Sequence, residues 1–354
     1  MKRVKDMIII GKKRIGKDYP VFIIAEAGVN HNGSLQIALK LVDAAAKAGA
    51  DAIKFQTFKA EQVATPESKM ASYQKKNIGK QESQLEMLKK LELKEDFYAP
   101  IIKRCHEKNI IFLSTPHGGF ESVDFLKSLN VPAFKFGSGD INNFPVLEYA
   151  AKFNKPMIIG AGMASMKEAA CAIAAIQKAG NKKIIVLHST SNYPTFPFEV
   201  NLRAMQTMMK ELGVLVGYSD HTLGIQIPIM AATLGASIIE KHFTLDRKMS
   251  GPDHKASLEP KELRAMVKAI RDVEIIMGSH VKQPVASEKK HKLLARKSIV
   301  AAGNIKKGVK IKENMLAIKR PGKGTEPRFW NKIIGKKTKK NLKKDQFIVW
   351  RDLI

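Results

Sequence analysis

From Val21 onward one pattern recurs along the chain: a short run of apolar or β-branched residues ending in small and polar ones, then an amphipathic segment of helical period. Eight such units can be counted, with strands predicted at Val21 to Glu26, Ala52 to Thr57, Ile110 to Thr115, Ala133 to Ser138, Met157 to Gly162, Ile184 to Ser189, Val214 to Ser219 and Ser237 to His242. Helices are predicted between them, among others at Leu35 to Ala48, Phe120 to Leu129, Met166 to Ala179 and Leu202 to Leu212, with Gly49, Gly180 and Gly213 as C-terminal stops. Strict βα alternation implies a parallel sheet. Eight units in roughly 260 residues suit a closed (β/α)8 TIM barrel better than an open doubly wound sheet, and no GxGxxG turn follows the first strand. Before the first unit, Ile8 to Val21 reads as a hairpin over the bottom of the barrel.

The pattern changes near Met277. Gln283 to His291 reads as a polar linker, and short β runs with glycine turns follow it. The expected organisation is therefore a hairpin and barrel over residues 1–280, a linker over 281–292 and a small β-rich module over 293–354. Its strand candidates are Ser298 to Ala301, Ile305 to Gly308, Leu316 to Lys319 and Gln346 to Trp350, too few for a large core of their own.

Composition narrows the setting. The 354 residues are 44% hydrophobic and 27% charged, which marks a globular chain. The apolar run Met7 to Ile10 is too short for a signal peptide, and Ile225 to Ile239 is interrupted by Gln226 and Pro228, so neither secretion nor a membrane span is expected. Cys105 and Cys171 make no metal-type spacing and suit a reducing compartment, which predicts a cytoplasmic protein. The net charge of +28 raises nucleic acid as a partner. Against it, the lysines are spread over the chain and cluster only at Lys336 to Lys344, as a solvated surface would have them.

In a barrel of this kind the site lies at the C-terminal ends of the strands, and polar residues accumulate there. Glu26 and Asn30 to Gly33 follow the first strand, Lys54 and Gln56 lie on the second, Ser114 to His117 end the third, and Lys135 with Ser138 to Asp140 end the fourth. Ser189 to Pro194, Ser219 to Thr222 and Glu240 to Thr244 end the last three, whereas the fifth offers only Gly160 to Met163. Two inward lysines are costly unless paired, so either an anionic ligand or structural glutamates must answer Lys54 and Lys135. His221 and His242 end adjacent strands, where two imidazoles can meet one divalent ion; the alternative is a pair of satisfied or catalytic histidines. Imidazole favours transition metals over magnesium, which points to manganese, zinc or iron; manganese is the ion expected, with magnesium and cobalt as further alternatives.

Read together, these strand ends resemble the N-acetylneuraminate (sialic acid) synthase family, a barrel followed by an antifreeze-like (SAF, β-clip) domain. The resemblance rests on Ile24 to Gly33, Lys54 to Thr57, Ser114 to Pro116, Tyr218 to Thr222, Glu240 to Thr244, Gly251 to Asp253 and Lys319 to Gly324. It implies a transferase that condenses phosphoenolpyruvate with an N-acyl-hexosamine. By the same resemblance Lys54, Thr115, Lys135, Ser138 and Ser219 would hold phosphoenolpyruvate, Gln56, Asp140, Tyr193 and Asp253 would face the sugar, and His221 and His242 would ligate a metal acting as Lewis acid. Glu26 would steady the developing cation or steer the attacking water, and Glu26, Lys54, Lys135 and His242 form the implied catalytic set. Arg320 would reach into the site of a second subunit, which implies a domain-swapped homodimer.

Four positions depart from the family pattern: Gly160-Ala161 stands for a Ser-Thr pair, Asp140 for glutamate, His117 for phenylalanine and Ser191 for asparagine. The first and last remove donors from the phosphate grip, which Asn192 can restore if the loop shifts by one residue. The others alter the sugar pocket, leaving N-acetylmannosamine, its 6-phosphate and diacetamido hexoses as candidate acceptors. A Schiff-base aldolase using Lys135, another phosphoenolpyruvate-condensing barrel and a basic nucleic-acid-binding protein are the rival readings; an ice-binding role is disfavoured because no long threonine repeat is present.

Overall fold

The computed structural model describes residues 7–79 and 82–354, and it divides into two compact units, residues 1–278 and 279–354. In the first, the strands β1 (Ile8–Ile10) and β2 (Lys13–Ile15) pair as an antiparallel hairpin. Eight parallel strands follow: β3 (Phe22–Gly28), β4 (Ala52–Thr57), β5 (Ile111–Pro116), β6 (Phe134–Phe136), β7 (Met157–Gly160), β8 (Ile184–His188), β9 (Leu215–Asp220) and β10 (Ile238–His242). Their ladder order is β5-β4-β3-β10-β9-β8-β7-β6, and β6 lies beside β5 to bring the sheet round on itself, as in a TIM barrel.

Side-chain alternation along each strand sorts the chemistry. On β3, Ile23 and Ala25 pack outward against the helices, while Phe22 and Ile24 point into the barrel. The same inner row continues to Glu26. On β10 the inner residues run Ile238, Glu240, His242, and on β4 they run Ala52, Lys54, Gln56; Leu113 on β5 leads to Thr115, Ala133 to Lys135, and Leu187 to Ser189. Each of these inner rows thus begins apolar at the N-terminal end and turns polar at the other. The apolar end is plugged by the hairpin, whose Ile8, Ile10 and Ile15 join the inner cluster. Asp51 ties it there, accepting from Lys13 Nζ at 2.7 Å, from the Ile23 amide at 2.9 Å and from Arg271 at 2.7 Å.

The helices form as the pattern predicts. Leu35–Ala48 starts at an N-cap Ser34 and stops at Gly49, which takes a left-handed conformation (φ 87°) that a side chain would resist. Strand ends differ from expectation by a few residues, most at β6, which stops at Phe136 because Ser138–Asp140 turns as a 3-10 helix.

In the second unit the stretch expected as linker is partly a helix, Ala286–Ala295, since Glu288 closes a cap on the Val285 amide at 3.0 Å and the residues that follow are good helix formers. β11 (Ser298–Ala301) and β12 (Leu316–Lys319) pair antiparallel over a core of Ile299, Ile305, Ile311, Ile333, Leu342 and Ile348. Ile305 and Phe347 make only isolated bridges where strands were expected. Within the lysine cluster Thr338 and Leu342 are buried and the lysines from Lys337 to Lys344 face solvent. Among the described residues no helix is long and apolar enough to cross a membrane.

Candidate active site

The polar ends of the inner rows surround a cavity of about 550 Å³. Eleven of the twelve predicted site residues of the barrel line it: Glu26, Lys54, Gln56, Thr115, Lys135 and Ser138 on one side, Tyr193, Ser219, His221, His242 and Asp253 on the other, with only Asp140 missing.

 The remaining predicted residue, Arg320, belongs to the second unit, exposed just past β12.

The floor is an ion network. Lys54 Nζ lies 2.6 Å from Glu26 and donates to Thr115 Oγ1 at 3.0 Å, and Lys135 Nζ lies 3.2 Å from Glu240 Oε1. Ser219 Oγ donates to the same Glu240 oxygen at 3.1 Å, and Lys54 stands 4.0 Å from it. Both inward lysines are thus answered by glutamates, so their burial does not by itself demand an anionic ligand. The four charges are not equivalent. Burial raises the Glu26 carboxyl to about 7 against the opposing pull of Lys54, whereas at Glu240 the same burial is outweighed by Lys135 and Lys54, which hold it down at about 2. Glu26 is therefore the carboxyl able to exchange a proton near neutrality. Sequence reasoning assigns Glu240 no role, although its place two residues before His242 puts it on the same inner row.

Across the cavity His221 and His242 stand with ring centroids 5.6 Å apart. His221 Nδ1 donates to the Thr190 carbonyl at 2.6 Å, which leaves Nε2 with its lone pair, here accepting from the Tyr193 hydroxyl at 3.1 Å. His242 Nδ1 is buried with no hydrogen-bond partner among the described residues. Burial lowers both pKa values, with His221 adding to the effect on His242, so both rings stay neutral and keep lone pairs to offer. Two neutral imidazoles, His221 oriented by a carbonyl and His242 with an unpartnered Nδ1, fit a divalent ion completed by oxygen ligands. Among the described residues no third His, Cys, Asp or Glu joins them.

The β6 to β8 side is lined by hydroxyls. Ser138 Oγ accepts from the Gly162 amide at 3.0 Å and lies 3.4 Å from Ser189 Oγ. A Cβ on Gly162 would sit 2.4 Å from Ser191 Oγ and 2.8 Å from those of Ser138 and Ser189, so three hydroxyls converge only because residue 162 has no side chain. Asn192 does not replace a lost donor, since its amide turns away to Glu199 at 3.2 Å. Asp140 is set back from the cavity, its Oδ2 3.8 Å from His117 Nδ1, and it is His117 that faces the space. At the outer end Asp253, raised to about 6 by burial, faces Tyr73 and Tyr193, which stack at 5.0 Å. Tyr73 and the apolar Met87 and Leu91 come from the long β4 connection, where no periodicity marked them in the sequence.

Residues 41–282 match the NeuB family and residues 296–354 match the SAF domain. The chain is similar to N,N'-diacetyllegionaminic acid synthase of Campylobacter jejuni, 47% identical over 92% of this chain and 98% of that one. It is similar also to human N-acetylneuraminate-9-phosphate synthase, 38% identical over 95% of this chain and 93% of that one. Among solved structures, the N-acetylneuraminic acid synthetase of Leptospira borgpetersenii in complex with citrate superposes with a TM-score of 0.72 at 36% identity, covering 82% of this chain and 96% of that one.

Proposed function

The chain belongs to the NeuB family, and from that premise we propose that it condenses phosphoenolpyruvate with the open-chain form of a diacetamido hexose, giving a legionaminic-type nonulosonic acid and inorganic phosphate. The observation that carries this reading is that two lysines, converging serine hydroxyls and a neutral histidine pair face one cavity. The lysines and hydroxyls suit the carboxylate and phosphate of phosphoenolpyruvate. The outer end favours an uncharged acceptor: Asp253, two tyrosines and apolar side chains face it, and among the described lining residues the only lysines or arginines are Lys54 and Lys135. A 6-phosphorylated sugar would find no cation at that end among the described residues that line this chain's own cavity. Two relatives named as N,N'-diacetyllegionaminic acid synthases, at 47% and 43% identity, support the same acceptor class.

His221 and His242 would hold a divalent ion, manganese by the preference of imidazole for transition metals, with magnesium and cobalt as alternatives. When bound, such an ion polarises the aldehyde of the acceptor. Lys54, Thr115, Lys135, Ser138 and Ser219 hold phosphoenolpyruvate so that its C3 bonds to the aldehyde carbon, the carbonyl π pair passing to the aldehyde oxygen, which takes a proton from solvent, while Gln56 and Tyr193 orient the sugar. Positive charge then develops at C2, next to the Glu26 and Glu240 carboxylates. Water adds at C2 and gives up a proton, for which Glu26 is the base available at neutral pH. The C2–O bond to phosphorus breaks last, its electron pair leaving with phosphate. The Schiff-base alternative is disfavoured by the Glu240 partner that Lys135 already has. Arg320 completes the sugar site from a second subunit of a swapped homodimer.

Phosphate release from phosphoenolpyruvate, measured with manganese and a panel of free and 6-phosphorylated N-acyl hexosamines, tests the reading. Release is expected only with an unphosphorylated diacetamido hexose and only without chelator. No release with any sugar, from folded and metal-loaded protein, overturns it.

A further inference from the structure

His117 is the one cavity-lining imidazole that the reaction above leaves unused. It ends β5 two residues beyond Thr115, and its backbone amide is fixed by the Thr57 carbonyl at 3.0 Å. Among the described residues its ring has no hydrogen-bond partner, and its side chain keeps 28% of its surface free, toward the cavity. The charged groups that face it are Lys54 from β4, Lys135 from β6 and Asp140 from the turn after β6, the last with Oδ2 3.8 Å from Nδ1. Its ring carbon Cε1 would lie 3.2 Å from a Cβ on Gly137, the residue beside Ser138, so the imidazole leans over the edge of the hydroxyl cluster.

We propose that His117 is the acid that protonates the departing phosphate, with Asp140 behind it as the counter-charge that holds the imidazolium. The proposal rests on the reading of the site as one that takes phosphoenolpyruvate. The bond balance is simple: the C2–O bond to phosphate breaks, its pair goes to the phosphate oxygen, that oxygen takes the proton of His117, and the C2 hydroxyl gives up its own proton as the ketone forms. The electrostatics supply the timing. Without substrate, burial and then the two lysines pull His117 down to about 3, so it is neutral. Phosphoenolpyruvate brings negative charge between the lysines and His117, which reverses the local field and favours uptake of a proton. The imidazole is thus loaded by the substrate whose leaving group it serves.

Two measurements on wild type, His117→Phe and His117→Gln test this. Calorimetry of phosphoenolpyruvate binding without sugar, in two buffers of different ionisation heat at one pH, reads proton uptake; wild type is expected to take up more than either variant, the difference approaching about one proton. In turnover, kcat is expected to fall about 100-fold in both variants with KM for phosphoenolpyruvate within threefold. The sign of the pH dependence follows from the role: the proton must be on His117, so wild-type kcat falls as pH rises through its value in the complex, and the variants lack that alkaline limb. Proton uptake equal in all three proteins overturns the proposal, as does a variant that keeps kcat and the limb. A change confined to the KM for sugar assigns His117 to acceptor recognition and overturns it equally. Failure of wild type to turn over with any sugar overturns the proposed function instead, so the two failures are distinct.

Discussion

At the scale of single residues, the ion network on the floor decides how the site responds to pH and to mutation. Glu26 binds its proton more tightly folded, at about 7, than unfolded, near 4.5. Its contribution to stability is therefore intact below the unfolded value and is lost as pH rises toward the folded one. Wild type is expected to lose about 2–3 kcal/mol relative to Glu26→Gln between pH 5 and 8, read as the difference in urea unfolding free energies. Parallel pH curves for the two proteins would refute the assignment. Lys135→Met leaves Glu240 buried without its nearest cation and is expected to cost about 3–5 kcal/mol, whereas Lys135→Met combined with Glu240→Gln should recover much of that. Equal losses in the single and double variants would show that the pair is not the unit. Lys54 and Lys135 were legible in the sequence as inward charges, but which glutamates answer them was not, because the partners lie on other strands and meet only through register.

At the scale of elements, alternation made the barrel readable. The predicted strands and the helices Leu35–Ala48, Met166–Lys178 and Leu202–Glu211 coincide with the pattern because a two-residue period against a helical one separates the two kinds of segment. What alternation did not convey is the shape of β7. Gly160-Ala161 reads as a pair of lost donors, yet the missing side chain at the neighbouring Gly162 is what lets the hydroxyls of Ser138, Ser189 and Ser191 converge. Gly162→Ala is expected to raise KM for phosphoenolpyruvate about tenfold, by pushing those hydroxyls apart, with kcat reduced less. An unchanged KM would remove the cluster from the anion site. The helix Ala286–Ala295 was missed because its lysine-rich face offers no apolar period, while a cap and good helix formers suffice to build it.

At the scale of the whole molecule, two features beyond the strand ends carry expectations of their own. The hairpin closes the apolar end of the barrel, and Ile10 is fully buried there, so Ile10→Ala is expected to cost about 2–4 kcal/mol in denaturant unfolding without altering KM. A loss below about 1 kcal/mol would mean that the plug adds little to the core. Assembly has its own test. If Arg320 serves the site of a second subunit, mixing an Arg320→Ala chain with a His242→Ala chain restores part of the activity through one intact hybrid site, and verified heterodimers without activity refute the exchange. The sequence by itself determined the order of elements, the alternation that turns Glu26, Lys54, Lys135 and His242 inward, and the collection of polar residues at strand ends, since these follow from local periodicity. Only the tertiary structure decided that Glu240 and Ser219 meet, that His117 rather than Asp140 faces the cavity, and that Asn192 turns away. Those outcomes depend on strand register and loop geometry, which bring together residues far apart in the chain and leave no periodic mark along it.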